Sequence, residues 1–101
     1  MKLWIDDKRE APQGWTAVKS SRDALRLVQT GIVDEVSFDH DLGGEDTAYK
    51  VATYIEEMAF MGMIPRLKWQ IHSQNPVGRD RILAALERAE VFWGHEKIVA
   101  S

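Results

Sequence analysis

Short apolar runs alternate along the chain with longer segments in which apolar residues recur every three or four positions. The first run, Leu3-Trp4-Ile5, is continuous, which is typical of a strand buried on both faces. The run at 67–71 alternates apolar residues with lysine and glutamine and indicates a half-exposed strand. Five strands are predicted, at residues 2–6, 15–19, 34–39, 67–71 and 97–100.

The segments with helical periodicity predict three helices, each preceded by a residue that can cap its first turn. Ser20 caps the first helix, which Gly31 ends, and Asp46 caps a second, longer helix. Asn75-Pro76 opens the third, with asparagine as the cap and proline at the first helical position.

Strands that alternate with helices predict an α/β fold, a parallel sheet with helices on both faces. Residues 8–14, between the first two strands, contain Pro12 and Gly14 and lack a helical period, so an extended strap is expected in place of a crossover helix. Seven extended residues span roughly 23 Å, enough to pass a strand of about 17 Å. The strands then end at one edge of the sheet, where open parallel sheets bind ligands.

Composition limits the function classes. A chain of 101 residues predicts one domain, 1–101, and the absence of cysteine excludes disulfides, thiolate zinc sites and a cysteine nucleophile. No apolar run approaches the ~20 residues of a membrane span and no signal-peptide pattern is present, so we expect a cytoplasmic protein without membrane contact. A net charge of −3 predicts no extended nucleic-acid surface, only a local patch or contact with one chain end.

Two acidic clusters follow predicted strands: Asp6-Asp7 follows the first, and Asp39-His40-Asp41 follows the third. Carboxylates packed beside a core cost stability unless a cation offsets their repulsion and desolvation. Their oxygens suit a hard divalent ion, Mg²⁺ or Mn²⁺, so all four aspartates are candidate metal ligands. The alternative is that individual aspartates only cap turns.

Two histidines are expected at the same edge. His72 ends the fourth strand and His40 lies within the second acidic cluster. Either could act as general acid or base, or as a nucleophile to phosphorus, with Asp39 as a further catalytic candidate. The alternative is that each imidazole is paired with a neighbouring group and is structural.

Candidate phosphate ligands surround the start of the third helix, whose free amides and positive dipole end face the same edge. Asn75 caps it, Gly78 allows close approach and Arg79 adds a forked donor. Ser73 lies beside them, and Arg9 in the strap is a further anion-binding candidate. An ordinary capped helix with a solvated arginine is the alternative.

These residues resemble the receiver domain of two-component signalling, in which an acidic pair ends strand one and an aspartate ends strand three. A small hydroxyl residue then ends strand four and a lysine lies on strand five; the corresponding residues here are Asp6, Asp7, Asp39, Ser73 and Lys97. The resemblance implies a flavodoxin-like three-layer sandwich with strand order 2-1-3-4-5. The missing first helix and the histidines depart from a signalling receiver.

A closer resemblance is to a family of small receiver-like domains proposed to process cyclic phosphates and linked to RNA repair. Its pattern resembles three stretches of this chain. They are Asp6-Asp7 with Arg9 and Pro12-Gln13-Gly14-Trp15; Asp39-His40-Asp41-Leu42-Gly43; and His72-Ser73-Gln74-Asn75-Pro76-Val77-Gly78. Ala48 departs from the pattern, where glycine is expected.

This resemblance implies a metal-dependent phosphoesterase, or phosphohydrolase, acting on a 2′,3′-cyclic phosphate RNA end or a small cyclic-phosphate nucleotide. The metal would be held by aspartates, His40 and His72 would share acid and base roles, and a variant has Asp39 attack phosphorus. Two alternatives stay open: a receiver-derived module that senses phosphate or a nucleotide without turnover, and an adaptor whose acidic edge is only solvated.

Overall fold

The computed structural model describes residues 1–94, which form a parallel sheet and three helices. The strands are β1 (Lys2–Ile5), β2 (Trp15–Val18), β3 (Glu35–Phe38) and β4 (Lys68–Ile71), in the order β2-β1-β3-β4. The predicted order of these four strands and the receiver-like α/β fold are confirmed. The predicted fifth strand, 97–100, lies outside the described residues.

The two central strands owe their position to their apolar residues. Leu3 and Ile5 of β1 pair in register with Val36 and Phe38 of β3, and all four are completely buried. Because side chains alternate along a strand, these residues share the face that carries the helices, while Trp4 points to the other face. Helix residues pack against the face of Leu3 and Ile5 and complete the core; among them are Val51, Ile55, Ile82 and Leu86.

Three helices pack in one row: α1 (Ser21–Gln29) contacts α2 (Tyr49–Phe60), which contacts α3 (Pro76–Phe92). The crossovers from β2 to β3 and from β3 to β4 advance in the same direction, so right-handed connections place α1 and α2 on one face. The described helices therefore form a single layer, and a helical layer on the opposite face is not among residues 1–94. No helix of this part is long and apolar enough to span a membrane.

Two of the three predicted helix caps are confirmed. The Ser20 side chain accepts from the Asp23 backbone N–H, and Asn75 accepts from Gly78. The prediction that Asp46 caps α2 is wrong: α2 begins after Ala48, and no side chain caps it. The Asp46 carboxylate instead accepts from the backbone N–H and the hydroxyl of Ser21, at 2.9 and 2.5 Å.

The predicted strap is confirmed, since no helix lies between β1 and β2. Its hydrogen bonds are made locally and at both ends: Asp6 accepts from two strap amides, and the Trp15 backbone N–H donates to Pro12 at 3.1 Å. The Trp4 indole donates to the Arg9 carbonyl at 3.2 Å. A helix pairs its own backbone groups, and the strap has no helix, so these bonds satisfy its backbone N–H and C=O groups instead. They give the strap a defined path.

Candidate active site

Three carboxylates meet at the carboxyl ends of the two central strands. Asp6 and Asp7 follow β1 and Asp39 follows β3, and one oxygen of each lies within 4.8 Å of the others. We call these residues the carboxylate trio. A cleft of about 410 Å³ opens over it, and its walls are formed by Asp6, Asp7, Lys8, Arg9, Asp39, Asp41, Gly43, Gly44, Gln74 and Asn75.

Asp6 is the most firmly held member of the trio, with only 2 % of its surface exposed. One carboxylate oxygen accepts from the backbone N–H groups of Lys8 and Arg9, at 2.8 and 2.9 Å. The other faces Nε2 of His72 at 3.0 Å. Burial by itself raises the pKa of the Asp6 carboxyl, but the hydrogen bonds from Arg9, Lys8 and His72 outweigh it and leave the pKa below its usual value.

His72 lies behind Asp6 and does not line the cleft. Its ring stacks on Trp4, with centroids 3.8 Å apart and planes 6° from parallel. Burial lowers the pKa of His72 below its usual range, and the hydrogen bond and attraction from Asp6 only partly oppose this effect. A lowered pKa makes the imidazole neutral at pH 7, so one ring nitrogen carries a proton and the other accepts one.

The surrounding hydrogen bonds decide which nitrogen of His72 is protonated. Nδ1 lies 2.7 Å from the Ser37 hydroxyl, which also accepts from the Gln70 side chain at 3.1 Å. Because the ionised Asp6 carboxylate can only accept, Nε2 carries the proton and donates to it, and the unprotonated Nδ1 accepts from the Ser37 hydroxyl. Both ring nitrogens are thus occupied, and His72 orients Asp6 from behind.

A second polar group forms the opposite wall of the cleft. His40 Nδ1 lies 3.0 Å from one Asp41 oxygen, and the Asn75 side-chain amide donates to the other at 3.1 Å. The bonds from Asn75 and His40 lower the pKa of Asp41. Asp41 therefore stays ionised at the mouth of the cleft. It was predicted as a fourth metal ligand, but it lies outside the carboxylate trio.

The predicted phosphate ligands are only partly brought to the cleft. Asn75 and Arg9 line it, although one Arg9 nitrogen donates to the His72 carbonyl at 2.9 Å. Ser73 accepts from the Asn75 backbone N–H, the Gly78 N–H donates to Asn75, and Arg79 donates to the Ile71 carbonyl. Ser73, Gly78 and Arg79 thus make bonds at the start of α3, and none of these three residues lines the cleft.

Some residues in or behind the cleft were not among the site residues predicted from the sequence. Lys8 and Gln74 line the cleft, and each adjoins a predicted site residue in sequence. Ser37 supports His72 from β3, and its signal was a serine between two apolar residues of the strand, Val36 and Phe38. Gly43 has a φ of +92°, and a Cβ there would lie 3.3 Å from an Asp7 oxygen, so the loop passes close over the trio.

The donor set of the trio fits a hard divalent cation. Three ionisable oxygens within 4.8 Å repel one another, and a cation between them would offset that repulsion. Magnesium is typically held by one or two carboxylates, with water and phosphate oxygens completing its coordination. The cleft leaves room for such ligands above the trio.

A parallel sheet of order 2-1-3-4 with an acidic group at the ends of its central strands defines a receiver-like α/β domain. The model of the family described as the cyclic-phosphate processing receiver domain matches residues 1–88. The chain therefore belongs to this family. No curated protein and no solved structure gives a match.

Proposed function

We propose that the protein is a metal-dependent phosphoesterase that opens a cyclic phosphate, with a 2′,3′-cyclic phosphate RNA end as substrate. The observation that carries the proposal is the carboxylate trio on the floor of an open cleft, whose walls also contain the cationic side chains of Lys8 and Arg9. Membership of the cyclic-phosphate family supports the choice of substrate class.

Asp6, Asp7 and Asp39 would hold Mg²⁺ or Mn²⁺. When bound, such an ion neutralises charge on the phosphate as it builds in the transition state. The buried hydrogen bonds of Asp6 favour this role, because they keep its carboxylate ionised and fixed in orientation.

The other residues would bind and orient the phosphate. Lys8, Arg9 and the side-chain amides of Gln74 and Asn75 are donors at the walls of the cleft for its non-bridging oxygens. A volume of about 410 Å³ falls within the usual range for small-ligand sites and accommodates one terminal nucleotide. Contact with a single chain end is consistent with a protein of net charge −3.

The reaction adds the elements of water across one ring ester bond. The attacking oxygen bonds to phosphorus, the bond from phosphorus to the 2′ or 3′ oxygen breaks, and that oxygen leaves with a proton. In this proposal the His40–Asp41 pair exchanges the proton, because Asp41 lines the cleft and is bonded to His40. His72 acts by positioning Asp6. In a variant route an Asp39 oxygen attacks phosphorus and the ring oxygen leaves with a proton; water then hydrolyses the aspartyl phosphate and frees the carboxylate. One Asp39 oxygen accepts from the His40 backbone N–H.

One observation favours the second candidate, a phosphate- or nucleotide-sensing module without turnover. Neither His40 nor His72 lines the cleft among residues 1–94, so neither of these two imidazoles faces a bound phosphate directly. Such a module would bind the metal and the ligand through the same trio and walls, and it would release the ligand unchanged.

An RNA oligonucleotide ending in a 2′,3′-cyclic phosphate, incubated with protein and Mg²⁺ or Mn²⁺, tests the proposal. Mass analysis of the products identifies ring opening and the ester bond cut. We expect opening by the wild type, loss with Asp39→Asn, and strong reduction with His72→Ala. Asp80→Asn, an exposed carboxylate outside the cleft, is the matched control. Metal binding without turnover would reject the phosphoesterase and favour the sensing module.

A further inference from the structure

The first turn of α3 leaves no room for a side chain at residue 78. A Cβ built on Gly78 would lie 2.2 Å from Cγ, 2.4 Å from Nδ1 and 2.6 Å from Cδ2 of His40. Cβ atoms in proteins essentially never lie within 3.0 Å of a non-bonded heavy atom. The contacting atoms belong to a ring close to its own backbone, so a small rotation of a flexible chain end cannot relieve the clash. The His40 ring therefore occupies the space where a side chain of residue 78 would be.

His40 itself is fixed from several directions. Its backbone N–H donates to an Asp39 carboxylate oxygen at 2.9 Å, and its carbonyl accepts from the Ala48 N–H at 2.8 Å. Its ring is bonded to Asp41, and only 11 % of the side chain is exposed. A displacement of His40 would consequently move two carboxylates of the cleft, one of which belongs to the trio.

The glycine has no other conformational reason to be present. Its φ is not in the left-handed region, and it lies inside α3, where glycine is less stable than alanine. Its N–H donates to Asn75, which any residue other than proline could do. The contact with His40 is what excludes a larger residue.

We propose that Gly78 is a positioning residue of the cation site. It leaves room for the His40 ring, so that the ring holds Asp41 and the His40 backbone N–H holds the Asp39 carboxylate. This deepens the proposed function and rests on it for the identity of the ligand. It replaces the role predicted for Gly78 from the sequence, in which its backbone approaches a phosphate.

A double-mutant cycle tests the inference with four proteins: wild type, Gly78→Ala, His40→Ala and the double variant. Mn²⁺ affinity is measured by calorimetry, and the urea midpoint reports stability; neither depends on turnover. With His40 present, Gly78→Ala should lower Mn²⁺ affinity roughly 10-fold or more, as expected when a residue that orients a metal ligand is disturbed. It should also lower the urea midpoint.

In the His40→Ala background the same glycine substitution should change Mn²⁺ affinity less than about twofold. It should raise the urea midpoint, because alanine is then accommodated and favours the helix. If His40→Ala does not fold, a size series decides: Gly78→Val should lower Mn²⁺ affinity more than Gly78→Ala, and equal effects of the two would overturn the inference. Val77→Ala, exposed in the same turn, is the control.

Equal effects of Gly78→Ala in both backgrounds, or no effect on Mn²⁺ affinity beside His40, would overturn the inference. Absence of Mn²⁺ binding by the wild type would instead overturn the cation site on which the proposed function depends. In that case the urea midpoints still decide whether Gly78 acts through the His40 ring. Gly78→Ala should lower the midpoint when His40 is present and raise it in the His40→Ala background.

Discussion

A chain of four polar side chains, Gln70, Ser37, His72 and Asp6, crosses from β4 to the end of β1. The Asp6 carboxylate can only accept, so it fixes the direction of the bonds behind it, and the protonation of His72 is set by a residue of the cleft. The sequence could place His72 at this edge, because a strand end locates a residue along the chain. It could not show that both ring nitrogens are occupied, because that depends on side-chain directions from two other strands.

The lowered pKa of His72 predicts a pH dependence of stability in the metal-free protein. An unfolded imidazole takes up a proton below pH 6.5, whereas the folded one resists protonation, so the free energy of unfolding falls as the pH drops below 6.5. The loss from this group is at most about 1.4 kcal/mol per pH unit. Urea unfolding of metal-stripped wild type and His72→Gln between pH 7.5 and 5.5 measures it.

The variant should be less stable than the wild type at pH 7.5 and should lose less stability on acidification. His40 and His95 are present in both proteins, so the difference between the two curves isolates His72. Parallel curves would show that His72 is protonated equally readily in the folded and unfolded chains, which would contradict its neutral role behind Asp6.

At the scale of elements, sequence rules predicted caps well where the partner lies within the same turn. Ser20 and Asn75 each bond an amide three residues ahead, and both caps are confirmed. The prediction that Asp46 caps α2 was wrong because its partner is distant along the chain. Asp46 bonds Ser21 at the start of α1 and so joins the loop before α2 to another helix. A local pattern contains no information about such a contact.

We expect Asp46→Ala to destabilise the protein by about 1–3 kcal/mol, since the N–H and hydroxyl of buried Ser21 both lose their partner. Glu45→Ala removes an exposed carboxylate from the same loop and should change stability by less than about 0.5 kcal/mol. Chemical denaturation of both variants checks this. Equal losses would mean that the contact between Asp46 and Ser21 contributes nothing beyond general loop charge.

At the scale of the whole molecule, parallel strand order determines where the chemistry lies. Asp6 and Asp39 are far apart in sequence, but β1 and β3 are adjacent and parallel, so their ends must meet. This is why the trio could be predicted without coordinates. The roles of Gly78 and Asp41 could not, because they depend on how the start of α3 packs against the loop after β3.

The trio predicts that a divalent cation stabilises the fold. At ten times its Kd, Mg²⁺ should stabilise the wild type by about 1.4 kcal/mol, which raises Tm by roughly 6–11 °C for a domain of this size. Asp39→Asn removes one of three mutually repelling charges, so it should have a higher Tm than the wild type without metal and little response to Mg²⁺. Differential scanning calorimetry measures both values.

Asp80→Asn is the control for this experiment and should respond to Mg²⁺ as the wild type does. A lower Tm for metal-free Asp39→Asn would show that the carboxylates do not repel one another strongly in the folded protein. An unchanged wild-type Tm over a wide range of Mg²⁺ concentrations would exclude the trio as a cation site.

Opening of a cyclic phosphate at this site should require a divalent cation, and the Mg²⁺ dependence of the reaction rate measures that requirement. Phosphorus NMR follows a nucleoside 2′,3′-cyclic phosphate as it is converted to a monoester. We predict a rate that rises with Mg²⁺, reaches half its maximum at the Kd for Mg²⁺ measured by titration calorimetry, and falls to background with chelator or Asp39→Asn. A cyclic phosphate signal that stays unchanged at saturating Mg²⁺ would contradict the account.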